Sequence, residues 1–422
     1  MKLHALTTVL GCCLAVASAH AQSSKQTIAI TGATVHTSPT SSLKNATIVI
    51  RDGKIASVGV GAKVPANAKV IDGRGKVVTA GFIDSSTSVG LVEVSQVSEA
   101  NDGYFVSSAD DKVHAAFRVV DGYNDNSVAI PVARLGGVTS VVAAPRGSLI
   151  SGQSALMRLT TARSADTVVR APLAMVATLG GRSLGGRPSR GVVIERLREL
   201  LDDAREYRKV KGRYQRNQTR RFAAERLDLE ALQPVVTGTM PLLVRAHRSS
   251  DLLAAARLAT ELRIKVIIEG GTEAWLVAKE LAKAKIPVLL DPVANLPSDF
   301  DRIRVRSDAA AVLNEAGVTV AISTLGSASG VRRLRQLAGN AVANGLPWAK
   351  ALDAVTTAPA RIFGLKGLGE IKRGVVADLV LWSSDPFELA TRVEAIVIAG
   401  ELMPLASRQT LLRDRYRRLP SP

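Results

Sequence analysis

The sequence predicts an α/β protein, a parallel barrel of alternating strands and helices with a small sheet beside it, on three observations. Both chain ends are rich in short β-type runs, the long middle alternates strand-like with helix-like stretches, and 422 residues suit one large barrel with an accessory unit better than many small modules. Near the N-terminus, Ile28-Ala29-Ile30 and the runs 46–51, 54–60 and 69–72 are strand-like, punctuated by Asp52-Gly53 and Asp72-Gly73. Toward the other end, 377–382 and 393–399 read as strands on either side of Ser-Ser-Asp-Pro at 383–386.

In the middle, Ile194, Leu197, Leu200, Leu201 and Ala204 recur at helical spacing, 242–246 is strand-like, and Asp251 caps an Ala/Leu-rich helix reaching Leu262. Runs 265–269, 287–290 and 319–323 read as further strands, separated by helices over 273–284 and 308–316. Short units of this kind place a site at the C-terminal ends of the barrel strands.

The first residues carry Lys2, an apolar stretch over 6–17 and Ala19-His20-Ala21, the pattern of a secretory signal over 1–21 cut before Gln22. That stretch is shorter than the ~20 residues needed to span a bilayer, so the expectation is a soluble periplasmic or secreted protein without a transmembrane segment. Val9-Leu10-Gly11 before Cys12 leaves lipid attachment as a minor alternative. Cys12 and Cys13 both lie inside the signal, which excludes thiol chemistry and disulfides in the exported protein. The net charge of +18 raises the question of a polyanion partner, but aromatic residues make up 4% of the chain and no nucleic-acid motif is present. The densest basic run, 205–221, reads as a solvated helix extension.

The segment Ala80-Gly81-Phe82-Ile83-Asp84-Ser85-Ser86-Thr87-Ser88-Val89-Gly90, preceded by Val70-Ile71-Asp72-Gly73-Arg74-Gly75-Lys76, resembles the amidohydrolase superfamily in its imidazolonepropionase-like and dihydroorotase-like branches. Gly136-Gly137-Val138-Thr139-Ser140, Ser151-Gly152-Gln153-Ser154-Ala155, Gly271-Thr272-Glu273-Ala274 and the closing run from Gly369 to Leu379 carry the resemblance over nearly all of the remaining chain. It implies a (β/α)8 TIM barrel (79–366) inserted in a composite β-sandwich made from 22–78 and 367–405, with a basic tail over 406–422. It also implies one or two divalent metals that activate a hydroxide for attack on an amide, a lactam or a related bond.

The positions that would hold those metals are substituted. The resemblance puts the family's paired first-strand histidines at Ser86 and Ser88, its bridging lysine at Val176, its fifth- and sixth-strand histidines at Arg245 and Gly270, and its eighth-strand aspartate at Leu325. Hydroxyls are poor zinc ligands, and arginine offers no lone pair and repels a cation. No metal or other cofactor is therefore expected.

Among what remains, His247 is a candidate general base and Glu269 its orienting partner; equally, Glu269 could neutralise Arg245, since an unpaired charge there is costly. Asp84 is carried over as a structural acceptor, and Asp291 is a further candidate at the mouth. The acidic segment from Glu93 to Asp111 reads as a solvated loop. Two functions follow: a metal-free binding or partner subunit, or an active hydrolase on non-peptide C–N bonds working without metal or with one weakly held ion. The expected partners are a small molecule in the barrel mouth, a second copy of the chain or an active amidohydrolase paralogue, and no nucleic acid.

Overall fold

The two chain ends build one sheet. The computed structural model describes residues 25–104, 112–161, 164–180, 189–294 and 296–417, so the segment expected to be a secretory signal, the end of the acidic segment expected as a loop and the last residues of the tail lie outside the described residues. β1 (Ile28–Ser38) and β2 (Ser41–Arg51) form a hairpin that β3 (Lys54–Val60) extends, and β4 (Lys69–Asp72) and β5 (Val77–Ala80) both run parallel to β1.

A ring of strands follows. β6 (Phe82–Thr87) is parallel to β7 (Val138–Ala143), which α1 (Ala129–Leu135) precedes. β8 (Ile150–Gln153) and β9 (Ala155–Arg158) are one run that changes partner at Ser154. β9 pairs antiparallel with β7 and with the short β10 (Val168–Arg170), and β8 pairs antiparallel with β11 (Met175–Thr178). After α2 (Arg190–Tyr214), α3 (Arg226–Ala231) and α4 (Gln233–Val236) comes β12 (Leu242–Ala246). Next are α5 (Ser249–Glu261), β13 (Val266–Gly270), α6 (Ala278–Lys283), β14 (Val288–Leu290), α7 (Ala309–Glu315) and β15 (Val320–Ile322). From β11 to β15 every neighbouring pair is parallel. α8 (Leu334–Ala343), α9 (Trp348–Val355) and α10 (Thr357–Ile362) close this part of the chain.

The mixed α/β class and the parallel strands follow the sequence expectation, with one departure from eight parallel strands. The run 150–158 is reversed, because the connection over 144–149 is too short to carry a crossover, which takes about a dozen residues or more. The ends of the ring meet at β15 and β6, where Ser323 Oγ donates to Asp84 at 2.6 Å and Gly326 N donates to the Ser86 carbonyl at 3.0 Å. One residue from each of eight strands enters a common apolar plug: Ile83, Val142, Leu156, Val176, Leu243, Ile267, Leu289 and Ala321. Alternate residues of a strand share a face, so Arg245 and Glu269 stand on the plug, two residues past Leu243 and Ile267. The outer faces of the strands pack on the helices through Leu197, Leu200, Leu252, Leu281 and Leu313.

β16 (Leu379–Trp382) returns to pair antiparallel with β5, and β17 (Val393–Ile398) and β18 (Glu401–Leu402) complete an eight-stranded sheet. Its core mixes both chain ends, Ile30, Ile48 and Ile50 with Leu379, Leu381 and Val397. Trp382 joins sheet to ring, its ring tilted against Phe82 at 5.1 Å and its Nε1 donating to Thr79 Oγ1 at 2.9 Å. α11 (Arg408–Arg417) is exposed along most of its length. The basic run leaves helix at Tyr214, and it is partly neutralised: Arg220 folds back onto Asp203 and Lys211 meets Glu230 at 3.1 Å.

A buried ion pair reinforces the same joint, since Arg158 of β9 donates to Asp378 at 2.9 Å and Asp378 also accepts from the Ala399 amide at 2.7 Å. Burial nevertheless pushes the Asp378 carboxyl above its usual range, against the pull of Arg158. Removing one partner of such a pair leaves an uncompensated charge and costs about 3–5 kcal/mol. We therefore expect Arg158→Met to lower the melting temperature at pH 7, with a smaller loss at pH 4.5, where the carboxyl more readily takes up a proton. Equal losses at both pH values would contradict this reading of the pair.

Candidate functional site

The polar cluster on top of the plug is organised by Glu269. It is 1% exposed, at the end of β13, and the strand register sets it directly beside Arg245 of β12. Arg245 donates to both carboxylate oxygens, from Nε at 3.1 Å to Oε1 and from Nη2 at 2.9 Å to Oε2. A second guanidinium, Arg146 from the loop after β7, reaches Oε1 at 2.8 Å. Burial by itself would raise the Glu269 pKa; the two arginines outweigh it and hold the carboxyl below its usual value. Arg146 in turn is lowered to about 10, by burial and by the repulsion of Arg245.

Of the two roles the sequence leaves open for Glu269, partner of His247 or countercharge of Arg245, the hydrogen bonds are those of the second. Arg146 was missed. Its signal was a charged residue just past a strand end, the place where barrel folds carry functional groups. Gly326 accommodates it: a Cβ there would lie 1.8 Å from Arg146 Cζ.

His247 follows β12 and is largely buried. Its Nδ1 lies 2.8 Å from Thr272 Oγ1, so the ring is oriented by a threonine, and Glu269 turns to the arginines. Burial and then the positive charge of Arg302 lower its pKa to about 4, which leaves the imidazole neutral at pH 7. The ring fills the space over Gly270, where a Cβ would come within 2.4 Å of His247 Cε1. A histidine at 270 therefore cannot coexist with His247 in this position.

The other candidates are distributed around this cluster. Ser86 lies beside Glu269 and favours its ionised form, although its buried Oγ has no hydrogen bond of full geometry. Ser88 Oγ donates to the Gly326 carbonyl at 2.7 Å, and Leu325, with a positive φ of 47°, borders the plug. Val176 sits one layer lower, inside the plug; the residue of β11 in register with Arg245 is Thr178. Asp84 is fully buried in the β6–β15 seam, accepting from Ser323 Oγ, from the Thr324 hydroxyl and amide, and from the Ser86 amide. Burial lifts its pKa to about 6 in spite of those donors. Asp291, just past β14, accepts from the Val293 amide at 2.9 Å, and burial raises its pKa as well. His36 lies in β1, in the terminal sheet, and packs on Trp348.

These residues do not fit a divalent metal. Both oxygens of Glu269 face guanidiniums, Asp84 is enclosed by hydroxyl and amide donors, and His247 already has a partner at Nδ1. Among the described residues no group of three or more His, Cys, Asp or Glu could hold a metal ion.

Residues 234–403 match the amidohydrolase family. Over that segment the chain is similar to the family. It is similar to amidohydrolase tasK of Hapsidospora irregularis, 24% identical over an aligned length of 372, with 80% of this chain covered; the chain spans 37% of the length of that relative. Among solved structures, an amidohydrolase from Thermotoga maritima MSB8 is 28% identical, with a TM-score of 0.81 over 89% of this chain and 99% of that one. The β-aspartyl dipeptidase of Fervidobacterium islandicum AW-1, 15% identical, shares the fold with a TM-score of 0.54 over 90% of this chain and 96% of that one.

The lowered His247 pKa carries a pH signature. A base that binds its proton more weakly in the folded state leaves stability full above about 6.5 and removes it as pH falls toward 4. Asp84, raised from 3.8 to about 6, acts in the opposite sense, because the fold favours its neutral form. We expect His247→Gln to flatten the fall in melting temperature between pH 6.5 and 4.5 that His247 contributes. Parallel profiles for the two proteins would show that His247 is not held neutral by the fold.

Proposed function

We propose that this chain is an exported amidohydrolase-family protein that works without a metal ion, as a binding or partner subunit. The observation that carries the reading is the ion cluster at the strand ends: Arg245 and Arg146 converge on Glu269 where the resemblance would require metal ligands. Two cations at that spot repel a third, and they take up the carboxylate a metal would need. The apolar 6–17 stretch followed by Ala19-His20-Ala21 supports export to the periplasm or beyond.

The competing reading, hydrolysis of non-peptide C–N bonds through His247 and Glu269, has the names of the relatives in its favour. It lacks a working pair, because a base needs an orienting partner and Glu269 is engaged by arginines while Thr272 holds His247. The test is metal analysis of dialysed protein, with a panel of amides and lactams and thermal unfolding with and without EDTA. A metal that binds only the folded state at a thousandfold excess over Kd stabilises it by about 4 kcal/mol. We expect no stoichiometric metal, no turnover and an unchanged melting temperature. Near-stoichiometric zinc or manganese, or an EDTA-induced fall reversed by either ion, would overturn the proposal.

A further inference from the structure

At the end of the ring opposite the arginine cluster, a cavity of about 670 Å³ opens among the starts of the strands, with Leu173, Pro241, Pro287 and Thr319 just ahead of β11, β12, β14 and β15 on its wall. That size lies within the usual range for small-molecule sites, roughly 300–1,000 Å³. Its floor is apolar: Leu173, Ile267 and Phe363 belong to the plug of the ring, and the buried Ile264 and Ile286 adjoin them. Its rim is cationic, with Arg170, Lys265, Lys285 and Arg361, and among the described residues no acidic one lines it. Arg361 has a carboxylate partner of its own in Asp353, at 2.7 Å, which leaves Arg170 and the two lysines facing the opening without an acid in the wall.

An apolar floor under a one-signed rim selects a molecule with the matching division. We propose that this cavity binds a small amphipathic carboxylate, its apolar body on Leu173, Ile264, Ile286 and Phe363 and its head group between Lys265, Lys285 and Arg170. Burial of the body supplies a salt-insensitive part of the affinity, and the exposed cations supply a part that salt screens. The site lies at the opposite end of the strands from the arginine cluster and shares no residue with it.

The experiment is calorimetric titration of the full chain with 4-phenylbutyrate, with 4-phenylbutanamide and acetate as the neutral and headgroup-only controls. We expect one saturable site for 4-phenylbutyrate, affinity at least tenfold lower for either control, and a loss of at least tenfold in Lys265→Gln/Lys285→Gln. Both lysines are exposed, so this variant keeps the fold, which its melting temperature checks. Absence of saturable binding, equal binding of the amide or of acetate, or undiminished affinity in the double variant would overturn the proposal.

Discussion

Glu269 is one carboxylate between two guanidiniums, and the rest of the site at the strand ends is arranged around that fact. A lone arginine or a lone glutamate on top of an apolar plug would carry a heavy desolvation cost, so each of the three charges stays there only because the others do. The strand register sets Arg245 beside Glu269, and the loop after β7 brings Arg146 to the same oxygen. The neighbouring positions then follow from space. Position 326 has to lack a side chain for Arg146 to pass, and position 270 has to lack one for the His247 ring to lie where it does. Residues that look scattered along the sequence are therefore parts of one packing solution.

That cluster rests on the plug, and the plug rests on the ring. Eight strands each contribute one side chain to it even though one of them runs backwards. Reversal changes which way the backbone runs and keeps the alternation of faces, so Leu156 still points inward with Ile83 and Val142. The seam between β15 and β6 is held by Asp84 and its hydroxyl donors, which makes a buried carboxyl a structural part of ring closure.

Much of this was legible in the sequence, because its signals are local. The terminal strands, β12 and the helices after it declare themselves through periodicity and turn residues, and the observed 242–246 strand coincides with its expected bounds. Arg245 and Glu269 were readable as a pair because each follows an apolar strand run by the same interval. The reversed strand was not readable, since 150–158 has the same β-type composition in either direction and only the length of the preceding connection hints at its course. Arg146 was missed because its partner lies 123 residues away and a loop conformation, with Gly326 opposite, decides where its guanidinium goes. Val176 stands a layer below the cluster for a similar reason: register along β11 is set by its neighbours, and Thr178 is the residue level with Arg245.

The central claim is that the Glu269 carboxylate serves as a structural countercharge to the arginines. A double-mutant cycle on Glu269→Gln and Arg245→Met, followed by unfolding free energy at pH 7, tests it most directly. If the claim holds, Glu269→Gln alone is destabilising by about 3 kcal/mol, since it leaves two partly buried arginines facing each other without a countercharge. The same change in the Arg245→Met background costs clearly less, a coupling of more than about 1 kcal/mol between the two sites. Additivity within about 0.5 kcal/mol, or a Glu269→Gln protein as stable as the parent, would contradict the account.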